Sequence, residues 1–346
     1  MHMSDALLTP AVGAAMWGAT AVTTVYCAKK VRDELDESKI PLMGVAGAFV
    51  FAAQMLNFAI PGTGSSGHIG GGLLLTALLG PYAAFLVIAS VLGIQALFFA
   101  DGGLIALGAN IFNLGFFPAF IVYPLIFKPL VGTAPTRLRV LIGSVLAAVA
   151  SMTLGATSVV LQTTISGISE LPFLTFMLMM VPIHIAIGVV EGLVTAGVLL
   201  FVREAQPEIL DRAATGRSYT GLALRPVIIG LLCAALLAGG AIAWFASASP
   251  DGLEWSIEKV AGTEEIEGAT GTAHKRSQDL QERMSLLPDY SFKSGTEDAG
   301  ESDAVWPAVD LGTTTSGVVG AALTIAMAAL IGYALKRRSG NRTARG

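Results

Sequence analysis

The chain has 346 residues, of which 53% are hydrophobic and only 13% charged, where soluble domains run nearer a quarter charged. A mean hydropathy of +0.69 and apolar runs of about 20 residues or more exclude a soluble domain and an outer-membrane-type barrel, and predict an all-α integral membrane protein in a lipid bilayer. The net charge of −4 says little, because the charges are segregated along the chain.

In chain order, apolar stretches fall at 7–28, 41–60, 69–99, 104–127, 138–165, 173–202, 225–247 and 314–335. No Lys or Arg precedes the first of them, so a cleavable signal peptide is not expected. Cys27 and Cys233 each sit in an apolar stretch and read as ordinary buried thiols rather than a disulfide. The third stretch begins with Gly70-Gly71-Gly72 and carries Gly80-Pro81 in its middle, so it is one crossing or two. Basic residues mark cytoplasmic ends. They cluster at Lys29, Lys30 and Arg32, at Lys128, Arg137 and Arg139, at Arg203, Arg212 and Arg217, and from Lys336 to Arg345. Two crossings within 69–99 satisfy the rule at every loop and predict nine spans, with an external N-terminus and a cytoplasmic C-terminus. Two full crossings need about 40 residues and 69–99 supplies 31, so one half must be short and packed inside protein.

Seven spans occupy 1–205, a polar cytoplasmic linker covers 206–222, and 223–346 forms a two-helix hairpin around a long external loop, 249–312. That loop is acidic (Asp251, Glu254, Glu258, Glu264, Glu265, Glu267, Glu297, Asp298, Glu301 and Asp303) and reads as solvated and partly disordered, with His274 on its surface.

Met1-His2 and the segment Gly62-Thr63-Gly64-Ser65-Ser66-Gly67-His68 carry the first chemical signal. A histidine at position 2 offers its imidazole, its own peptide nitrogen and the amine of Met1, which together form two fused chelate rings. His68 is the candidate for a fourth nitrogen, and planar nitrogen ligation suits Ni(II) and Cu(II) rather than zinc. The site needs an unblocked Met1, and initiator methionine is ordinarily kept before a residue as large as His2. The alternative is a solvated start and a polar loop residue. The predicted topology puts Met1, His2 and His68 on one side of the membrane.

His184 and Glu191, seven residues apart in the 173–202 stretch, project from one helix face. Ionisable groups inside a membrane are costly, so the pair reads as part of an ion path, as support for the ligands, or as a buried pair satisfied internally. Gln54 and Asn57, near the outer end of the second span, are placed to orient His68 or the N-terminus. Asn110, Asn113 and Gln162 read as hydrogen-bonding links between helices. No P-loop and no nucleic-acid module is present, so ATP-driven transport would borrow its motor from another chain. A membrane metalloenzyme built on His68, His184 and Glu191 is a competing reading, although H-E-x-x-H is absent; a structural subunit without its own metal is another.

Three segments together, Met1-His2, GTGSSGHIGGG at 62–72 and HIAIGVVEGLVT at 184–195, resemble the CbiM/NikM family of substrate-binding (S) components of energy-coupling factor (ECF) transporters for nickel or cobalt. The resemblance covers essentially all of 1–205. Pro250-Asp251-Gly252-Leu253-Glu254, just outside a span, is similar to the NikN-type PDGLE module, so the chain resembles a NikMN fusion. Family starts often read Met-His-Ile followed by an acidic residue and Gly; here Met3 and Ala6 replace the Ile and Gly, and Asp5 keeps the acid. The resemblance implies a seven-helix S-component bundle, metal ligation by Met1, His2 and His68, and Ni(II) or Co(II) as the transported substrate. It also implies a T-type transmembrane coupling subunit and ABC ATPase subunits as partners, in the cell membrane of a prokaryote.

Overall fold

The computed structural model describes residues 2–34, 36–132, 135–169, 171–263, 266, 271–292 and 306–343. Met1, Glu264, Glu265, Glu267, Glu297, Asp298, Glu301, Asp303 and Arg345 lie outside the described residues.

The chain is a helical, multi-pass membrane protein with six helices long and apolar enough to cross a bilayer among the described residues. Helix α1, Pro10–Asp33, starts where Thr9 caps it, the Thr9 Oγ1 accepting from the Val12 N–H, and ends with Lys30 and Arg32 in its last turn. Helix α2, Ile40–Gln54, is buried at every position from Leu42 to Gln54. A helix apolar all round must be covered all round, and the second part of the chain supplies the cover. Helices α9, Arg225–Gly240, and α12, Leu311–Thr343, pack on it.

The 69–99 stretch is divided at Gly80-Pro81, as the glycine and proline suggest. Helix α3 is Gly72–Leu79 and α4 is Pro81–Phe98. Eight residues make about 12 Å of helix, too short to cross, and α3 is buried along its whole length. The next helix, α5, runs over Leu107–Val131 with wide π-type turns through Phe112–Phe127, where Pro118 and Pro124 interrupt the ordinary ladder. Helices α6, Arg137–Ser166, and α7, Phe173–Ala205, form the most extensive helix pair. Gly188 and Gly192, one turn apart, let their backbones touch: a Cβ on Gly192 would lie 2.4 Å from Val145 Cα.

Several expectations are corrected. The segment around 61–68 is not plain loop. Strands β1, Phe58–Ile60, and β2, Ser65–Gly67, pair antiparallel, so the fold is not wholly α. The 225–247 span stops at Gly240 and gives way to a tight turn, and Cys233 within it is exposed rather than buried. The described part of 249–312 is neither featureless nor merely solvated. It contains α10, Gly252–Ala261, and α11, Thr272–Met284, and His274 is buried. The reason is packing: α10 lies on α7 and α11 on α4, contacts that composition alone does not reveal. Between α7 and α9, the linker forms α8, Glu208–Thr215.

Gly192→Leu should separate α6 from α7. We expect a loss of about 1–3 kcal/mol, as for other overpacked sites, read as a lower thermal midpoint in detergent, whereas Gly197→Ala, which meets open space, should leave the midpoint unchanged.

Candidate metal centre

The hairpin β1–β2 delivers His68 to the end of the bundle where the N-terminal segment also arrives. The rings of His2 and His68 lie 5.0 Å apart, centroid to centroid. The His2 Nδ1 is 2.6 Å from the Asp101 carboxylate, and since a carboxylate only accepts, that nitrogen carries the hydrogen. The other ring nitrogen of His2, Nε2, is buried without a hydrogen-bond partner. Asp101 also accepts from the Tyr290 hydroxyl at 2.5 Å. Burial would push the Asp101 carboxyl up, but the facing His2 imidazole and the hydrogen bonds from His2 and Tyr290 outweigh it and hold the group below the usual carboxylate range.

The N-terminal segment is held by main-chain contacts. Asn110 on α5 accepts from the Met3 N–H at 2.9 Å and donates to the Met3 carbonyl at 3.1 Å. Gly103 N–H reaches the same carbonyl at 2.9 Å. Asp5 accepts from the Ala106 N–H at 3.0 Å and from Ser277 of α11 at 2.5 Å. His274 Nε2, also on α11, lies 2.9 Å from the Leu8 carbonyl. The second part of the chain therefore grips the segment that carries His2.

It grips the His68 loop too. The sequence Pro250-Asp251-Gly252-Leu253-Glu254 is a helix start. Asp251 caps α10 by accepting from the Leu253 and Glu254 N–H groups, and Glu254 returns to the Asp251 N–H, a capping box. Gly252 is needed for close approach: a Cβ there would sit 2.8 Å from Ile187 and 3.1 Å from the His184 ring. The Ser66 N–H donates to the Pro250 carbonyl at 2.8 Å, and the Trp255 indole donates to the Thr63 carbonyl at 3.0 Å. These contacts bring Asp251 Oδ2 to 3.9 Å from His68 Nε2.

His184 and Glu191 are each 1% exposed, and they do different things. Glu191 accepts from the Gly70 N–H at 3.1 Å and the Gly71 N–H at 3.0 Å, fixing the loop just past His68. His184 Nδ1 is 2.7 Å from the Met180 carbonyl, and its Nε2 is buried without a partner. A small pocket, with room for about one water molecule, is lined by His68, His184, Asp251, Gly70 and Met152. Gln54 donates to the Gly70 carbonyl at 2.9 Å and accepts from Gln95 at 3.0 Å. Asn57 does not reach His68. Its carbonyl accepts from the Ser247 N–H and its side-chain oxygen is buried without a partner, because the chain turns away into β1 there. Asn113 and Gln162 exchange two amide hydrogen bonds of 3.0 Å between α5 and α6.

Asp101 and Asn110 escaped the reading of the sequence as site residues. A signal for Asp101 was present: it is the only acidic residue between Glu37 and Glu170. Among the described residues no three His, Cys, Asp or Glu side chains converge tightly enough to hold a metal ion.

Burial pushes the His68 imidazole down to about 3. The folded chain thus binds fewer protons than the unfolded chain between that value and the ordinary histidine value of about 6.5. Its stability should fall as pH drops through this window, measured as thermal midpoint in chelator-treated buffer, and His68→Gln should make the decline shallower.

A family model described as the cobalt uptake substrate-specific transmembrane region (CbiM) matches residues 2–209, and a PDGLE domain model matches residues 225–337. A protein of Archaeoglobus fulgidus with the provisional description of a fused nickel transport protein NikMN is 31% identical over 340 residues, covering 97% of this chain and 98% of its own length. The fused nickel transport protein NikMN of Rhodobacter capsulatus is 30% identical over 292 residues, 78% of this chain and 81% of its own. The cobalt transport protein CbiM of Sorangium cellulosum is 33% identical over 228 residues, 64% of this chain and 99% of its own. The crystal structure of a transition metal transporter aligns with a TM-score of 0.52 at 32% identity, covering 59% of this chain and 93% of that one.

Proposed function

We infer, for a chain that belongs to the CbiM family and carries a PDGLE domain behind it, that it is the substrate-binding S component of an ECF-type importer and captures Ni(II) from outside the cell. The observation that carries this reading is the meeting of His2 and His68 at one end of the bundle, ring centroids 5.0 Å apart, with His68 buried and His2 half-buried. Where Met1 opens the mature chain, its amine, the amide and imidazole nitrogens of His2 and the His68 imidazole make four nitrogens. Four nitrogens in a plane favour Ni(II) over Co(II), and both fused nickel relatives lean the same way. Cobalt import is the second reading, favoured by the family description and the CbiM relative.

Chelation through the His2 amide uses Nδ1, because only that ring nitrogen closes a six-membered ring with it. Here Nδ1 faces Asp101, so capture requires the imidazole to turn about Cβ–Cγ. The ion displaces protons from the amide and needs neutral imidazoles, so affinity should drop in acid. Asp251 and His184 line the small pocket beside His68, and His184 is a candidate for the path the ion takes on release. Seven helices in 1–205, the hairpin module in 223–346, the external N-terminus and the cytoplasmic C-terminus complete the proposed topology, in a prokaryotic plasma membrane. The relatives are metal transporters rather than enzymes; ATP hydrolysis is proposed to fall to separate ABC ATPase subunits, coupled through a T-type transmembrane subunit.

Calorimetric titration with Ni(II) and Co(II) tests the reading. The chain with its native N-terminus should bind Ni(II) more tightly than Co(II), and one extra residue ahead of Met1 should abolish binding by turning the amine into a peptide. Equal binding by both forms would sink the proposed ligand set. Asn110→Ala, which frees Met3 from its anchor, should weaken Ni(II) binding about ten-fold or more, in the range seen for groups that orient metal ligands.

A further inference from the structure

Helix α3 runs inward from the His68 loop, and both of its ends are tied by side chains from elsewhere. At the His68 end, Glu191 takes the Gly70 and Gly71 N–H groups and Gln54 donates to the Gly70 carbonyl. Along its length α3 is buried throughout, with Gly72 pressed so closely to α5 that a Cβ would lie 2.1 Å from the Leu114 carbonyl. At the far end, helix geometry leaves the last carbonyls without donors from the helix itself. The Tyr219 hydroxyl donates to the Leu78 carbonyl at 2.7 Å, and the Lys39 ammonium donates to the Leu79 carbonyl at 3.1 Å.

Neither donor belongs to α3 or to its immediate neighbours in sequence. Tyr219 comes from the linker after α8, and Lys39 from the turn before α2. Tyr219 is wholly buried, its main-chain N–H donates to Asp36, and the Lys39 ammonium sits 4.7 Å from the centre of its ring. Burial lowers the Lys39 pKa, with Asp36 and Glu34 opposing. The linker thus reaches into the bundle and holds the base of a two-turn helix whose top carries the loop of a proposed ligand. A short helix packed on every side shifts as a unit rather than bending.

We propose that Tyr219 is a positioning residue for His68: its hydroxyl sets the depth of α3, and so the hold of Glu191 on Gly70 and Gly71. Movement of the 206–222 linker is then transmitted to the metal loop and loosens the ion from the far end of α3. This rests on the metal-carrier reading above.

The test uses the full chain with its native N-terminus in detergent, loaded with Ni(II) and chased with excess EDTA, with release followed by the ligand-field absorption of the bound ion. Tyr219→Phe keeps the ring over Lys39 and removes only the hydroxyl. Release should become about five- to ten-fold faster, within the usual range of such coupling, while the absorption spectrum of the loaded form stays unchanged. Thr324→Val removes another buried hydroxyl bonded to a helix carbonyl, Gly320 at 2.8 Å, which belongs to its own helix α12 and not to α3, and should leave release within about two-fold of the parent. Unchanged release in Tyr219→Phe, or equal acceleration in Thr324→Val, overturns the proposal. A parent chain that takes up neither Ni(II) nor Co(II) overturns the carrier reading, and this proposal with it.

Discussion

A single buried carboxylate organises the centre of this molecule. Glu191 lies in the middle of α7 and accepts from two consecutive main-chain N–H groups, Gly70 and Gly71. An ionisable group so deeply placed is expensive to bury, and an unpaired main-chain N–H in the same surroundings is also costly. Bringing them together satisfies both. It also explains the glycines: Gly71 adopts a left-handed conformation, and a Cβ there would lie 2.4 Å from Val50. With the loop pinned at this point, His68 leaves the hairpin in one direction, and α3 starts at one depth.

The second part of the chain is a structural piece of the same centre rather than an appendage. Its two long helices bury α2, and its shorter ones lie over the ends of the chain segments that carry His2 and His68. The PDGLE sequence has a local meaning in capping physics: Asp and Glu, three residues apart, satisfy the free N–H groups of a helix start. That same start places Asp251 beside His68 and Gly252 against His184. Motif, cap and site wall are thus one piece of backbone.

The N-terminal segment is ordered by amides and carboxylates instead of by burial alone. Asn110 binds Met3 as one strand binds another, through donor and acceptor together, and Asp5 is shared between the α4–α5 connection and Ser277. Side-chain amides are well suited to this role inside a membrane protein, since their hydrogen bonds meet little competition from water. The residues that read as links between helices therefore include one, Asn110, that instead sets the register of a candidate ligand segment.

Much was legible from the sequence. Hydropathy and charge asymmetry specify a multi-pass helical protein, Gly80-Pro81 marks the break between α3 and α4, and the motifs at the start, at 62–72, at 184–195 and at 250–254 point to the family. These signals are local or compositional, so they survive without coordinates. The tertiary structure alone decided which polar groups meet. Asp101 is a solitary acid in sequence and faces His2 across 99 positions. Tyr219 lies in a polar linker yet donates to a carbonyl 141 positions away. His274 is followed by Lys275 and Arg276 and is nevertheless buried against Leu8. Pairings of this kind depend on how helices far apart in the chain pack together, and no periodicity or spacing along the chain encodes them.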